Sequence, residues 1–372
     1  MLYTAVFVFI LINSFFTSHI KGSASKKQKW FCISCWLVLA LMSACRYEIG
    51  ATSDIYRNYM HVYRFARIPW AEVFSISSEP LHQVLRKVIA TVFGDPQAYF
   101  FVTAFFIVGV TLFQINKYSN NIYLGVVLYY VWGGYFGANN TTRQYIAIVI
   151  SLLAVQYIIK DKPFLYALSI LAAIGFHTSA IVVVPLYFLC RKKFNRNVLL
   201  VYAVSAIGLV VLNRPVVRLM QRFLYSDYGA GYGANSSNVI RLVWPLFVFI
   251  CLILIRNSNY QCVPVCLENQ SRSTELFNNL ISHGAILNIY FSLLSAVNML
   301  MFSRVASYFT FYSMLSLLYG VKAPANTNNR RVLTAALWLL AISWFVVMNR
   351  SGKYIPTPYT PFWEYPWRAI IQ

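Results

Sequence analysis

The sequence predicts an all-α fold, a polytopic helical bundle set in a lipid bilayer with about twelve transmembrane helices. Three observations predict it. The chain is 59% hydrophobic and 17% aromatic but only 11% charged, where soluble domains carry roughly 25% charge. Long apolar runs recur from one end to the other, separated by short polar or basic connections, which is the pattern of repeated spanning helices. No Gly/Ser linker or acidic tail divides the chain, so 1–372 reads as a single membrane domain.

In chain order the apolar cores are 2–16, 30–45, 97–115, 122–136, 145–159, 164–176, 180–190, 198–212, 240–255, 285–302, 305–320 and 332–349. Several are shorter than the ~20 residues a span needs, so their ends extend into the flanks. The first run lacks the preceding positive charge of a cleavable signal peptide, and Lys21, Lys26, Lys27 and Lys29 follow it instead; it reads as a spanning helix with its N-terminus outside. Residues 81–93 differ from the rest. Leu81, Val84, Leu85, Val88, Ile89 and Val92 form one stripe, with His82, Arg86 and Lys87 off it. That amphipathic pattern suits a helix lying in the interface better than one crossing it.

With 81–93 lying flat, the loops sort consistently. Segments 46–96, 137–144, 177–179, 213–239, 303–304 and the tail 350–372 fall outside, and the remaining connections inside. Of 12 lysines, 10 are inside, as the positive-inside rule expects. Of 19 arginines, 13 are outside and break that rule. Arginine is the cation suited to bidentate phosphate recognition. The outer arginines therefore suggest an anionic, phosphate-bearing ligand, although the outer face also carries seven of the ten acids that such arginines could pair with. The +21 net charge does not indicate nucleic acid, because the basic residues are spread over both faces and many loops. The seven cysteines form no framework. Cys32 and Cys35 have no second pair or His cluster, so no metal is expected. No cofactor-binding glycine loop is visible.

Five outer positions concentrate chemistry-bearing residues. Arg46, Gly50, Asp54, Arg57 and Tyr59 follow the second core. Glu79-Pro80 precedes the amphipathic helix. Arg143-Gln144 opens a helix, where free backbone N–H groups also favour anions. His177-Thr-Ser179 occupies a short turn between two cores, and Arg304 is followed by Tyr308 one helical turn later. In the loop 213–239, Tyr228 and Tyr232 lie among glycines and offer faces for sugar rings. The Pro- and aromatic-rich tail reads as an interfacial anchor.

Taken in order, Arg46…Gly50…Asp54…Tyr59, Glu79-Pro80, Arg143-Gln144, Phe176-His177-Thr-Ser-Ala180 and Arg304-Val-Ala-Ser-Tyr308-Phe309 resemble the EpsG-like branch of Wzy-type polysaccharide polymerases. The resemblance runs from about residue 46 to about 320 and is strongest over 46–190. The polar loop 256–283 and the aromatic tail match no motif of that family. The resemblance implies a fold like that of membrane-embedded lipid-dependent glycosyltransferases, in the bacterial cytoplasmic (inner) membrane, with the site facing the periplasm or cell exterior. It implies that the enzyme joins oligosaccharide repeat units linked to undecaprenyl diphosphate, the partners being that lipid-linked substrate, membrane lipid and a protein that sets chain length.

The residues fit that chemistry. A diphosphate leaving group needs charge stabilisation and positioning, which Arg143 and Arg304, with Arg46 and Arg57, can supply. The acceptor hydroxyl needs a base. His177, Glu79 and Asp54 are the candidates; histidine has the reference pKa nearest neutrality, and a carboxylate would need raising by burial. Tyr308, Gln144, Tyr228 and Tyr232 are candidate glycan or acceptor contacts. An O-antigen ligase would share these features and differ in its acceptor. A flippase of the same lipid-linked sugar predicts internal repeats and broken helices lining a path. The sequence shows no repeat between halves, and its charged candidates cluster on one side.

Overall fold

The computed structural model describes residues 2–48, 62, 64–132, 134–212, 215, 218, 242–258, 260–267, 270–296, 301–351 and 359–364. In chain order the helices are α1 (Leu2–His19), α2 (Ala24–Ala44), α3 (Trp70–Val73), α4 (Pro80–Val92), α5 (Gln97–Tyr118), α6 (Ile122–Val131), α7 (Gly134–Asn140), α8 (Thr142–Ile159), α9 (Pro163–Phe176), α10 (Leu186–Leu189), α11 (Arg196–Val211), α12 (Val243–Arg256), α13 (Ser271–Ala296), α14 (Met301–Ser307), α15 (Thr310–Gly320) and α16 (Thr327–Ser351). Two short strands, β1 (Arg46–Glu48) and β2 (Thr360–Pro361), pair antiparallel.

Among the described residues, four helices are long and apolar enough to cross a bilayer: Leu2–His19, Gln97–Tyr118, Thr142–Ile159 and Thr327–Arg350. The expected twelve full-length spans are not found among the described residues, and local chemistry accounts for several of the differences. The core expected over 122–136 stops at Val131, ahead of the weak helix formers Gly133 and Gly134. The core 180–190 is wound as a 3-10 turn over Thr178–Val183 and restarts after Pro185, because proline lacks the N–H that would continue the helix. The core 305–320 is interrupted between Ser307 and Thr310. The core 285–302 lies in a helix that starts fourteen residues earlier than expected, α13 from Ser271. Where sequence gives a cap, the helix starts on it. Asn121 accepts from the Leu124 N–H and Asn195 from the Val198 N–H, each worth about 1 kcal/mol to its helix.

Contacts cluster into two compact units. The first comprises 1–154, 168–178 and 337–372, and the second 155–167 and 179–336.

In the first unit α2 lies along α5, and Trp36 Nε1 donates to the Phe105 carbonyl at 3.0 Å. Aromatic residues fill the space between α1, α6 and the C-terminal helix: Phe7 stacks on Phe345 at 4.2 Å, and Tyr130 donates to the Tyr3 carbonyl. The tail is more than an interfacial anchor. Beyond the β1–β2 pairing, Tyr359 donates to the Met42 carbonyl and the Phe362 N–H to the Cys45 carbonyl.

Helix α4 is 13 residues long, so at 1.5 Å per residue it cannot cross a ~30 Å core alone. Its polar residues do not face outward. His82, Gln83, Arg86 and Lys87 are buried, whereas Leu81, Val88 and Val92 are exposed. His82 Nε2 meets the Tyr99 hydroxyl at 2.9 Å, and Lys87 donates to the Phe65 carbonyl at 2.9 Å. The amphipathic pattern is real, and the protein takes its polar side together with Ile89 and part of the apolar stripe. In a membrane protein the interior can satisfy hydrogen bonds that lipid cannot.

In the second unit α13 is central, packing against α11, α12, α14 and α15. Gly284 makes one such approach possible, since a Cβ there would meet the Tyr312 ring. Asp161, in the left-handed region at φ 53°, accepts from Tyr187, Arg191 and Arg272 and ties the α8–α9 turn to α13. Helix α11 buries none of its residues; Leu200, Val201, Val204 and Ile207 are exposed, as on a lipid-facing helix. Its tether is Tyr202, whose hydroxyl meets His283 Nδ1 at 3.0 Å.

Candidate active site

The first unit gathers three of the sequence candidates onto one carboxylate. Glu79 Oε1 accepts from His177 Nδ1 at 2.5 Å, and Oε2 accepts from Arg143 Nη1 at 2.7 Å. The Thr178 backbone N–H adds a third donor. Both the Glu79 and His177 side chains are 5% exposed, and that of Arg143 is 18% exposed.

Each residue reaches this point for a local reason. Glu79 is the N-cap of α4, and Pro80 at the first helical position fixes the start. An N-cap carboxylate ordinarily bonds its own helix; here it makes no such bond and is turned to Arg143 and His177. The Ser77 hydroxyl accepts the Glu79 N–H at 3.2 Å and holds the backbone in place. His177 follows the last residue of α9, its N–H still bonded to the Ala173 carbonyl. Two residues earlier, Gly175 lets α4 come close. A Cβ on Gly175 would lie 2.7 Å from Leu81 Cγ, well inside contact distance. Arg143 is the second residue of α8, one turn before Ile146. Ile146 shares an apolar cluster with Ile107, Ala138 and Val149, against which Leu85 of α4 and Phe176 of α9 also pack. The three elements that carry the polar groups are thus held by one greasy contact beneath them.

The arrangement orients the ring and shifts the carboxyl. Burial alone would push the Glu79 carboxyl up; the His177 hydrogen bond, the His177 and Arg143 charges and the Thr178 N–H outweigh it and hold the carboxyl below its ordinary range. A carboxylate held in that form is a poor proton acceptor and a good hydrogen-bond acceptor. With Nδ1 committed to Glu79, Nε2 is the ring nitrogen left to exchange a proton. Nε2 is buried and has no hydrogen-bond partner among the described residues. An oriented, unpartnered imidazole nitrogen can take a proton from a hydroxyl brought to it.

The remaining candidates fall elsewhere. Arg46 is 1% exposed and structurally engaged: it donates to the Ser43 carbonyl and hydroxyl and to the Asn139 carbonyl, and lies over the Phe100 ring at 5.0 Å. Gln144 is buried beside Arg143. The start of α8 follows α7 after the single residue Thr141, whose N–H bonds the Gly137 carbonyl. In the second unit, Arg304 is half-buried on α14 and not in a loop. Tyr308 lies past the end of that helix, so the two do not share a continuous helical face. Its hydroxyl is 3.1 Å from Ser179 Oγ. Asp54, Arg57, Tyr228 and Tyr232 lie outside the described residues. Sequence reasoning missed Ser77, whose hydroxyl accepts the Glu79 N–H, and Gly175, which acts through its missing Cβ. Among the described residues, no group of three or more His, Cys, Asp and Glu side chains could hold a metal ion.

The model of the EpsG family matches residues 29–365 of the chain. No curated protein and no solved structure matches it.

Proposed function

The chain belongs to the EpsG family, a Wzy-like polymerase family, and from that premise we propose that this membrane-embedded, polysaccharide-polymerase-type protein joins oligosaccharide repeat units carried on undecaprenyl diphosphate, at the outer face of the bacterial cytoplasmic membrane. The observation that carries the reading is the Glu79–His177 pair, whose Nε2 has no hydrogen-bond partner among the described residues. In the proposed step the terminal sugar hydroxyl of one lipid-linked unit attacks the anomeric carbon of the glycan on another. The new C–O bond forms as the bond from that carbon to the diphosphate oxygen breaks. The hydroxyl proton passes to His177 Nε2, and the lipid diphosphate leaves with the electron pair. Glu79 fixes the imidazole and balances the imidazolium that forms, and is not itself the base. Arg143 and Arg304 are assigned to the charge on the diphosphate. Tyr308 and Gln144 are assigned to glycan or acceptor contacts.

A transporter of the same lipid-linked sugar would also use a broken helix, and 308–309 is such a break. Moving a substrate does not require a carboxylate-oriented imidazole, so the enzyme reading is the better supported one.

The test is His177→Ala in a strain whose own gene is deleted. The expected result is loss of polymer, with single repeat units still reaching the surface and protein abundance unchanged. Normal polymer in this variant would remove His177 as the base. Loss of every surface unit would point to a ligase or flippase. His177→Gln divides the role: retained activity would mean that the residue only orients the acceptor.

A further inference from the structure

The second unit contains a built device that the proposed chemistry has not used. Between α14 and α15 the ordinary helical ladder lapses. Tyr308 N–H bonds the Val305 carbonyl at 3.2 Å and Phe309 N–H the Ala306 carbonyl at 2.9 Å, both three-residue bonds in place of four-residue ones. A new helix starts at Thr310. Arg304 therefore rides on a seven-residue piece, Met301–Ser307, whose direction is not dictated by α15.

What faces this break is one stripe of α13, spaced by four and then three residues, the spacing of neighbours on one helical face. Gly284 makes room for the Tyr312 ring. Phe291 stacks on Phe302 before the break and on Phe309 within it, each at 5.7 Å. Between them sits Asn288, 3% exposed. Its Nδ2 donates to the Ala306 carbonyl at 2.8 Å and reaches the Thr310 hydroxyl at 3.2 Å. At the break the Ala306 carbonyl accepts the Phe309 N–H in place of a four-residue bond, and the Asn288 amide adds a second donor to it from α13. Its other end, Oδ1, is buried with no hydrogen-bond partner among the described residues. A buried amide with an unsatisfied oxygen is costly, so what the site uses is the donor. Breaks in membrane helices persist where side chains re-satisfy the freed backbone.

We propose that Asn288, seconded by Phe291, is a positioning residue for the reaction: it fixes the break and so sets the orientation of the segment that carries Arg304. The proposal rests on the reading of Arg304 as a diphosphate ligand. Without the amide, α14 and α15 relax toward a continuous helix and Arg304 is re-aimed, while the apolar packing around it survives.

The experiment is a double-mutant cycle on the full-length protein in membranes. The substrate is lipid-diphosphate-linked repeat units extracted from a strain lacking the polymerase. Asn288→Leu keeps the size and removes the donor. It should lower turnover at least about tenfold, as expected when a buried hydrogen bond that orients a reacting partner is lost, at unchanged protein abundance. In an Arg304→Ala background it should cost less than about a further twofold, because residues acting as one unit do not add. Phe291→Leu, which keeps the amide, should show the same epistasis with a smaller drop. Three results would overturn the proposal: wild-type turnover in Asn288→Leu, full additivity with Arg304→Ala, or absence of both single variants from the membrane, which would make the stripe a plain folding element. If Arg304→Ala itself polymerises normally, the diphosphate reading has failed, and the positioning role falls with it.

Discussion

The surroundings of Arg143 and of Arg304 show two ways of holding a cation in a membrane protein. Arg143 meets a carboxylate: Glu79 is buried, accepts from the arginine and from His177, and balances charge on the spot. The helix that carries Arg304 is placed by neutral groups, a side-chain amide on a carbonyl and a phenylalanine between two others. In the first arrangement the geometry depends on charge, so it is sensitive to protonation. In the second, the helix that carries the cation is placed by shape and by a neutral hydrogen bond.

The sharpest way to break this comparison is to change the cations. Arg143→Lys and Arg304→Lys should each lose most polymerising activity while the protein still inserts, because lysine keeps the charge and loses the planar fork. Polymer length on gels of surface glycan reads the result, and full activity in both variants would sink the clamp. Next in size is Glu79→Gln. It keeps an acceptor oxygen for His177 and removes the negative charge. A charge-assisted hydrogen bond contributes about 1.5–3 kcal/mol, so turnover should fall roughly ten- to hundredfold without vanishing. Complete loss, with His177→Ala still active, would make Glu79 the base.

Gly175→Val probes the same site through packing. The added side chain lands on Leu81 and should force α4 away from α9, an overpacking cost of about 1–3 kcal/mol. Activity should fall, and Leu81→Ala should partly restore it; failure of that rescue would remove the close approach as the cause.

The smallest effect is in pH. Because the Glu79 carboxyl is held below its ordinary range, the stability it contributes is fully present above the unfolded carboxylate value of about 4.3 and is lost as pH falls through the lower folded value. Thermal unfolding in detergent should therefore show wild type losing stability relative to Glu79→Gln below about pH 4.3 and not above it. A difference between the two that is constant with pH would mean that the ionised pair is not what Glu79 supplies.

The sequence by itself determined that the chain is helical, membrane-embedded and rich in arginine at a few motifs, because hydropathy and residue type act locally and need no partner to be read. It also marked Glu79, Arg143 and His177, since buried-side chemistry in an apolar chain stands out against its surroundings. It could not say that these three meet. Glu79 and His177 are 98 positions apart, and what joins them is Leu81 fitting against a missing Cβ at Gly175 and a shared apolar cluster at Ile146, Leu85 and Phe176. The same limit applies to α4. Its amphipathic period is plain in the sequence, but whether water or protein takes the polar side depends on what packs there, and Tyr99 and the Phe65 carbonyl decided it. Asn288 carried no signal at all. An asparagine in an apolar run becomes meaningful only when the broken backbone it bonds is folded next to it, because a hydrogen bond across 18 positions of chain exists only in three dimensions.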